Sequence, residues 1–562
     1  MINAPSWNVG TYLIKRLEDA GVKHLFGVPG DYVLDFLNQV AHSPIRWIGN
    51  CNELNAGYAA DGYARMAGLG AAVVTYGVGG FSVLNAIAGA YAEQVPVVLI
   101  SGAPSSARRQ TNAMIHHLTR DYLLQFEIYQ KLTADSAMLT NPQTAPDQID
   151  RVLTHCLTQK RPVYLEMPVD LAHAVCRPPE APALLPGSES DPNALNECVE
   201  EAATLINKAR NPVVLVGVEL VRFGLAGEVL KLIEHVELPF ATTLSSKSAL
   251  PELHPQFMGV YQGELSHDVV RKQVEGSDCV LSLGVWMTDI ETGGYSAKID
   301  ESALISGNTE HVQIAHHLYP RVQLSDFITG LTTKLDQRPF LSSHPVAPLM
   351  PRAEFRPQME TNLTVHRFFE GLNAFLEDDM ILMVEPGEAI CTAPQLYIEE
   401  AENFIVQAYY CSIGYCVPAA LGVSLARPRK RPVVLVGDGA FQMTAQELSS
   451  LIRFHCNPVI FLLNNRGYMI ERKLHEDGLY NDIQGWRFHG LPYIFGNNSI
   501  GLTVKTEGDL EKALRTAKNE TRKLIFIELN FPSGDCSPAL QAVWSGHGNR
   551  KTNRKPYPPF CR

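Results

Sequence analysis

Several signals that would direct a reading elsewhere are missing from this sequence. No Cys-x-x-Cys pair occurs, and the 11 cysteines are odd in number and scattered, so neither a disulfide framework nor a zinc site is expected. They read as free thiols in a reducing compartment. No run of about 18 uncharged apolar residues is present. Met1 to Gly10 also lacks a basic segment followed by an apolar core, so neither a membrane span nor an export signal is expected. The absence of G-x-G-x-x-G removes the usual dinucleotide fingerprint. Charge is sparse at 19%, and the positive sign is the scarcer one: 47 Lys and Arg stand against 59 Asp and Glu, for a net −12. That balance argues against a nucleic-acid partner and suits a soluble cytoplasmic protein. What the chain does have is 46% apolar residues over 562 positions, enough for about three domains of ordinary size.

The most informative stretch runs from Val433 to Glu471. Val433-Val434-Leu435-Val436 reads as a buried parallel strand that stops at Gly437-Asp438-Gly439. A helix is expected next, with Thr444 and Glu447 at capping-box spacing and Leu448, Leu451 and Ile452 as its apolar stripe. Val459 to Leu463 is the following strand, and it runs into Asn464-Asn465-Arg466-Gly467. A right-handed crossover brings both strand ends to one edge of the sheet, in the crevice where open α/β folds bind ligands. Asp438 and Asn465 then face one point. A carboxylate and an amide oxygen form an incomplete oxygen shell that suits Mg²⁺ completed by water and phosphate oxygens, with glycines letting backbone N–H groups approach the phosphates.

Elsewhere the pattern repeats faintly. His24 to Val28 and Arg46 to Gly49 read as strands, and Asn52-Glu53-Leu54 enters an alanine-rich helix that continues through Ala67. An acid at a helix start has an ordinary explanation in the helix dipole. Val73 to Gly80, a helix, and Val95 to Ser101 follow the strand, turn, helix, strand order of the Asp438 unit, without its acid. Proline-rich stretches at 177–192 and 339–357 read as linkers. They leave domains at 1–176, 193–338 and 358–562, and in the middle one Val213 to Gly217 and Val280 to Gly284 are buried strands. The fold class expected is α/β, with three doubly wound parallel-sheet domains. A basic tail at Arg550, Lys551, Arg554 and Lys555 reads as a solvated end.

Gly437-Asp438-Gly439, then 24 residues from Ala440 to Leu463, then Asn464-Asn465, resembles the diphosphate and Mg²⁺ motif of thiamine-diphosphate (ThDP) enzymes. Cys51 to Arg65 resembles the stretch that carries the cofactor-activating glutamate of ThDP-dependent 2-oxo acid decarboxylases. Gly27 to Tyr32, His116-His117, Ser412-Ile413-Gly414-Tyr415 and Gly467 to Glu471 extend the likeness over essentially the whole chain, to the pyruvate, indolepyruvate and phenylpyruvate decarboxylase family. The resemblance implies a pyrimidine-binding domain, a middle domain and a diphosphate-binding domain. It makes Asp438, Asn465 and the Gly467 carbonyl the metal ligands, with Gly437, Gly439, Ala440 and Tyr468 around the diphosphate. Glu53 becomes the acid on the aminopyrimidine, a role that calls for a carboxyl able to shuttle a proton. Asp31, His116, His117 and Glu471 become proton-handling groups, and Ile413 the apolar wedge that bends the cofactor. An adjacent histidine pair carries little by itself, since His316-His317 is another.

Two positions depart from the family pattern. Cys411 stands where a glycine is common, with only its carbonyl required by the cofactor, and Pro386 stands where many members have threonine or glutamine. The reaction implied is conversion of a 2-oxo acid to an aldehyde and CO₂, in a homodimer or homotetramer whose sites lie across a dimer interface. The alternatives are a ThDP-dependent carboligase of the acetolactate synthase kind and a catalytically silent ThDP-binding homologue. Thr288 and Ile390 occupy places where pyruvate-specialised relatives tend to carry aromatics, and Ile470 and Leu474 would add apolar wall. A pocket favouring long, branched or aromatic 2-oxo acids is therefore expected.

Overall fold

The computed structural model describes residues 7–180, 189–338, 354–475 and 477–548, the side chains of the last helix through 543. It contains three sheets of six, seven and six strands, each built from one third of the chain. Half of the first proposed linker, most of the second and the basic tail lie outside the described residues. Pro192, counted with the first linker, opens a helix (Pro192–Lys208) capped by Asp191.

Continuous Val, Ile, Leu and Ala runs form the central strands because both faces of a parallel sheet are covered by helices. In the first sheet Gly70–Val74 and Val97–Ala103 are buried at every position. In the third the same holds for Met380–Val384. The first and third sheets share one strand order: counted along the chain, second, first, third, fourth, sixth, fifth. The faint repeat in the sequence is thus a duplicated topology, parallel throughout.

The middle sheet departs from the all-parallel expectation. Its strands Val312–Ile314 and His317–Tyr319 pair antiparallel at one edge. The turn between them puts Ala315 at a φ of 47° and places His316-His317 on this hairpin. Short strands joined by a two-residue turn have no room for a crossover helix, so only antiparallel pairing is open to them.

The Glu53 helix (Glu53–Ala67) packs on the Cys416–Ala426 helix of the third domain. Glycine permits this approach: a Cβ at Gly422 would meet the Ala59 carbonyl oxygen at 1.9 Å, and one at Gly62 would meet that of Ala419 at 2.4 Å. No helix among the described residues is long and apolar enough to cross a membrane.

The expected capping box is not formed. Thr444 is the last residue of a helix that begins at Asp438, a 3₁₀ turn occupies Ala445–Glu447, and a second helix runs Leu448–Arg453. Thr444 Oγ1 instead donates to the Gly414 carbonyl at 2.8 Å. The helix already starts at the strand end, so the Thr444 to Glu447 spacing falls at a junction and not at an N-terminus.

Candidate active site

Arg431–Gly437 and Val459–Asn464 are neighbouring parallel strands, with Gly437 opposite Leu463. Asp438 and Asn465 therefore emerge side by side. Asp438 is 1% exposed; its Oδ1 accepts from Gly439 N at 2.8 Å and its Oδ2 from Gly467 N at 3.0 Å. Burial pushes this carboxyl up to about 6, against backbone N–H donors that pull it down. Asn465 Oδ1 is buried and has no hydrogen-bond partner among the described residues. An unpaired acceptor beside a buried carboxylate is costly unless something electropositive fills the gap. A hard cation with oxygen ligands fits this donor set. The Gly467 carbonyl, the third expected ligand, accepts from Met469 N at 3.0 Å and keeps a second lone pair.

The surrounding backbone leaves room for a phosphate group. A Cβ at Gly437 would meet nothing within 4 Å, whereas one at Gly439 would strike the Tyr468 ring at 2.5 Å. Ala440, one residue on, is buried in the first turn of the Asp438 helix.

The Cys411 to Gly414 loop is held by an acid that sequence reading passed over. Glu385, fully buried at the end of Met380–Val384, accepts from Gly414 N at 2.6 Å, Tyr415 N at 3.1 Å and Cys416 N at 2.9 Å. Burial raises its carboxyl while these N–H groups lower it. A strand ending in an acid that precedes Pro-Gly was the available signal. Cys411 has a φ of 53°, in the left-handed region, which explains why glycine is common there. Its thiol is pushed up to about 12 by burial, so it is not a reactive thiolate. Ile413 is partly buried against the core shared by the first and third domains.

In the first domain, Asn52 caps the Glu53 helix by accepting from Asn55 N at 2.8 Å. Glu53 Oε1 lies 3.4 Å from where a Cβ on Gly79 would sit, so the glycine turn gives the carboxyl its space. Gly77, at a φ of 67°, lets the His117 backbone come close: a Cβ there would meet His117 O at 2.2 Å. His116 Nε2 is 2.7 Å from Asp31 Oδ2, the two imidazoles are 4.7 Å apart, and Tyr32 stacks on His116 at 5.0 Å. His117 Nδ1 is buried without a partner among the described residues. Asp31 and the His116-His117 pair, 85 positions further along the sequence, thus form one cluster.

A cavity of about 680 Å³ lies between the middle and third domains. Ile390 and Ile470 line it, together with Ala539, Ala542 and Val543 of the last helix, which sequence reading did not place there. Thr288 and Leu474 do not line it. The Thr288 hydroxyl accepts from Glu291 N at 3.1 Å, and Leu474 ends the Met469–Leu474 helix, 38% exposed. Glu471 is exposed on the first turn of that helix. None of Asp31, Glu53, His116 or His117 lines the cavity, and neither do Asp438, Asn465 or Glu471.

Comparison with known proteins identifies the class that this arrangement belongs to. Residues 7–126 match the model of the N-terminal TPP binding domain of thiamine pyrophosphate enzymes, 199–335 the central domain, and 389–529 the C-terminal TPP binding domain. A protein of Mycolicibacterium paratuberculosis named alpha-keto-acid decarboxylase is 38% identical over 535 residues, covering 94% of each chain. Relatives with the same name in Mycobacterium leprae, 38% identical over 96% of this chain and 95% of theirs, and in Mycobacterium ulcerans, 37% identical over 96% of both, align as fully. The chain belongs to the family of ThDP-dependent 2-oxo acid decarboxylases.

Proposed function

We propose that this protein catalyses the non-oxidative decarboxylation of a 2-oxo acid to an aldehyde and CO₂, with ThDP and Mg²⁺ bound. The observation that carries the reading is the cluster of Asp31, His116 and His117, a set of proton-handling groups assembled from distant parts of the first domain. A carboligase has no need of it, and a silent homologue has no need of it beside an intact Glu53, Asp438 and Asn465. Bound ThDP supplies a nucleophilic carbon and an electron sink for the pair released with CO₂. Asp438, Asn465 and the Gly467 carbonyl hold the Mg²⁺, and Gly437, Gly439, Ala440 and Tyr468 surround the diphosphate. Glu53 moves the proton at the aminopyrimidine; Asp31, His116, His117 and Glu471 move protons at the reacting carbon and the leaving product.

Two copies complete the site, the Glu53 half of one facing the Asp438 half of the other. The large apolar Val78 and Met443, 55% and 49% exposed beside Gly79 and on the Asp438 helix, support this. Residence in the cytoplasm is supported by ten unbridged cysteines among the described residues. The substrate is a branched, long or aromatic 2-oxo acid. Ile390 and small C-terminal residues wall the cavity, and in one chain it is wide enough for a side chain of several carbons. A screen of 2-oxo acids for aldehyde product, with ThDP and Mg²⁺ supplied, tests the reading: CO₂ and aldehyde from none of them would refute it.

A further inference from the structure

Glu447 is an acid with no exposed surface that the reaction does not call on directly. It belongs to the Asp438 unit in sequence, yet its side chain enters the first domain. Oε1 accepts from Asn50 Nδ2 at 2.8 Å; Oε2 accepts from Asn55 Nδ2 at 2.7 Å and Cys51 N at 3.2 Å. These three donors bracket Glu53, two before it and one after. Asn55 is itself fully buried. The stretch is tied further: Asn50 N donates to Gly27 O at 3.0 Å and Gly27 N to Asn50 Oδ1 at 3.2 Å, at the strand end that leads to the Asp31 turn.

A buried carboxylate is tolerated only where donors surround it, and three donors converging on one carboxylate restrict the arrangement of the groups that feed it. Resting on the reading of Glu53 as the acid of the bound cofactor, we propose that Glu447 is a positioning residue for Glu53. From the third domain it fixes residues 50–55 and, through Asn50 and Gly27, the strand end leading to Asp31. Glutamine at 447 has one acceptor oxygen for three donors. With that oxygen on Asn55 and Cys51, the amide NH₂ faces Asn50 Nδ2, and Asn50 is unable to turn its own oxygen inward without losing Gly27 N; with it on Asn50, the NH₂ faces Cys51 N, and Asn55 has to turn its unpartnered Oδ1 inward. The Glu53 helix start then moves, and a displacement of about 1 Å at a proton-transfer group costs about 10²-fold in rate.

The test compares Glu447→Gln, Asn50→Ala and Glu53→Gln with the wild type, by melting temperature, ThDP affinity from tryptophan fluorescence, exchange of the C2 proton of bound ThDP by NMR, and steady-state kinetics. Amide hydrogen exchange over residues 50–58 is measured on the cofactor-free proteins. Glu447→Gln is expected to melt a few degrees below wild type and to bind ThDP close to wild type while C2 exchange and kcat fall together by about 10²-fold, with KM little changed and amide exchange at 50–58 faster. Asn50→Ala should move the same quantities less far, and it decides the matter by the same readouts if Glu447→Gln does not fold. Wild-type C2 exchange in Glu447→Gln, beside its loss in Glu53→Gln, overturns the positioning role. So does a loss of kcat matched by an equal fold-loss of ThDP affinity. Unchanged C2 exchange in Glu53→Gln would instead remove the role given to Glu53; the Glu447 contact is then judged by amide exchange alone, and wild-type protection at 50–58 overturns it.

Discussion

The backbone N–H of Gly467 donates to the carboxylate of Asp438 at 3.0 Å, tying together the ends of two adjacent strands. The loop after the second strand is thus already folded over the acid of the first. On the proposed reading, in which the metal bridges Asp438 and the diphosphate, Asp438→Ala is expected to release ThDP, and EDTA to do the same reversibly. Equilibrium dialysis checks this: ThDP retained at wild-type affinity by a metal-free protein would contradict it.

The acidity of Asp438 sets a pH dependence. Burial raises the carboxyl from an ordinary 3.8 to about 6, so between those values the folded protein holds a proton that the unfolded chain has lost. That contribution to stability is present at low pH and fades as pH rises through about 6 in the metal-free protein. Cation binding needs the carboxylate, so Mg²⁺ affinity should fall about tenfold per pH unit below about 6 and level off above it. Calorimetric titration with Mg²⁺ and ThDP at stepped pH reads this directly, and a flat profile would argue against Asp438 as a ligand.

Glu53→Gln keeps size and polarity but removes the proton. Turnover is expected to drop by at least about 10²-fold with ThDP still bound, the usual scale for positioned acid–base groups. Single-turnover kinetics on the ThDP-loaded protein is the measurement. Near-normal turnover would remove Glu53 from the mechanism.

Ile390 is 8% exposed and lines the cavity. Replacing it with tryptophan fills space that a long side chain would use. Ile390→Trp is expected to lower kcat/KM for phenylpyruvate more than for pyruvate, and the wild type to prefer the larger acid. Each buried methylene discriminates by roughly 1–3 kcal/mol. Pyruvate as the best wild-type substrate by about tenfold or more would contradict the pocket reading.

Glu385→Ala strands three buried N–H groups at Gly414, Tyr415 and Cys416. Unpaired buried donors cost about 1–3 kcal/mol each. The melting temperature should fall by several degrees, and ThDP affinity with it, since the Cys411 to Gly414 loop loses its anchor. Thermal melts with and without ThDP report both effects.

What the chain determined by itself is the local chemistry. Apolar β-branched runs, with polar residues at their carboxyl ends, specify buried parallel strands and place Asp438 and Asn465 at one edge, because parallel neighbours end together. Asn52 before Glu53 and Gly68 after Ala67 bound that helix without outside help, the glycine taking a φ of 90°. Tertiary structure alone decided which distant groups meet. Nothing in the spacing of Asp31 and His116 says that they lie 2.7 Å apart, and nothing around Glu447 says that its carboxylate serves Asn50 and Asn55. Such pairings depend on how whole domains pack, through close-fitting surfaces such as Gly62 on Ala419 and Gly422 on Ala59, where one added methyl group would hold two helices apart. For the same reason Thr288 and Leu474 stand outside the cavity while Ala539, Ala542 and Val543 line it. Composition near a pocket is local, but the direction a side chain faces is set by the element behind it.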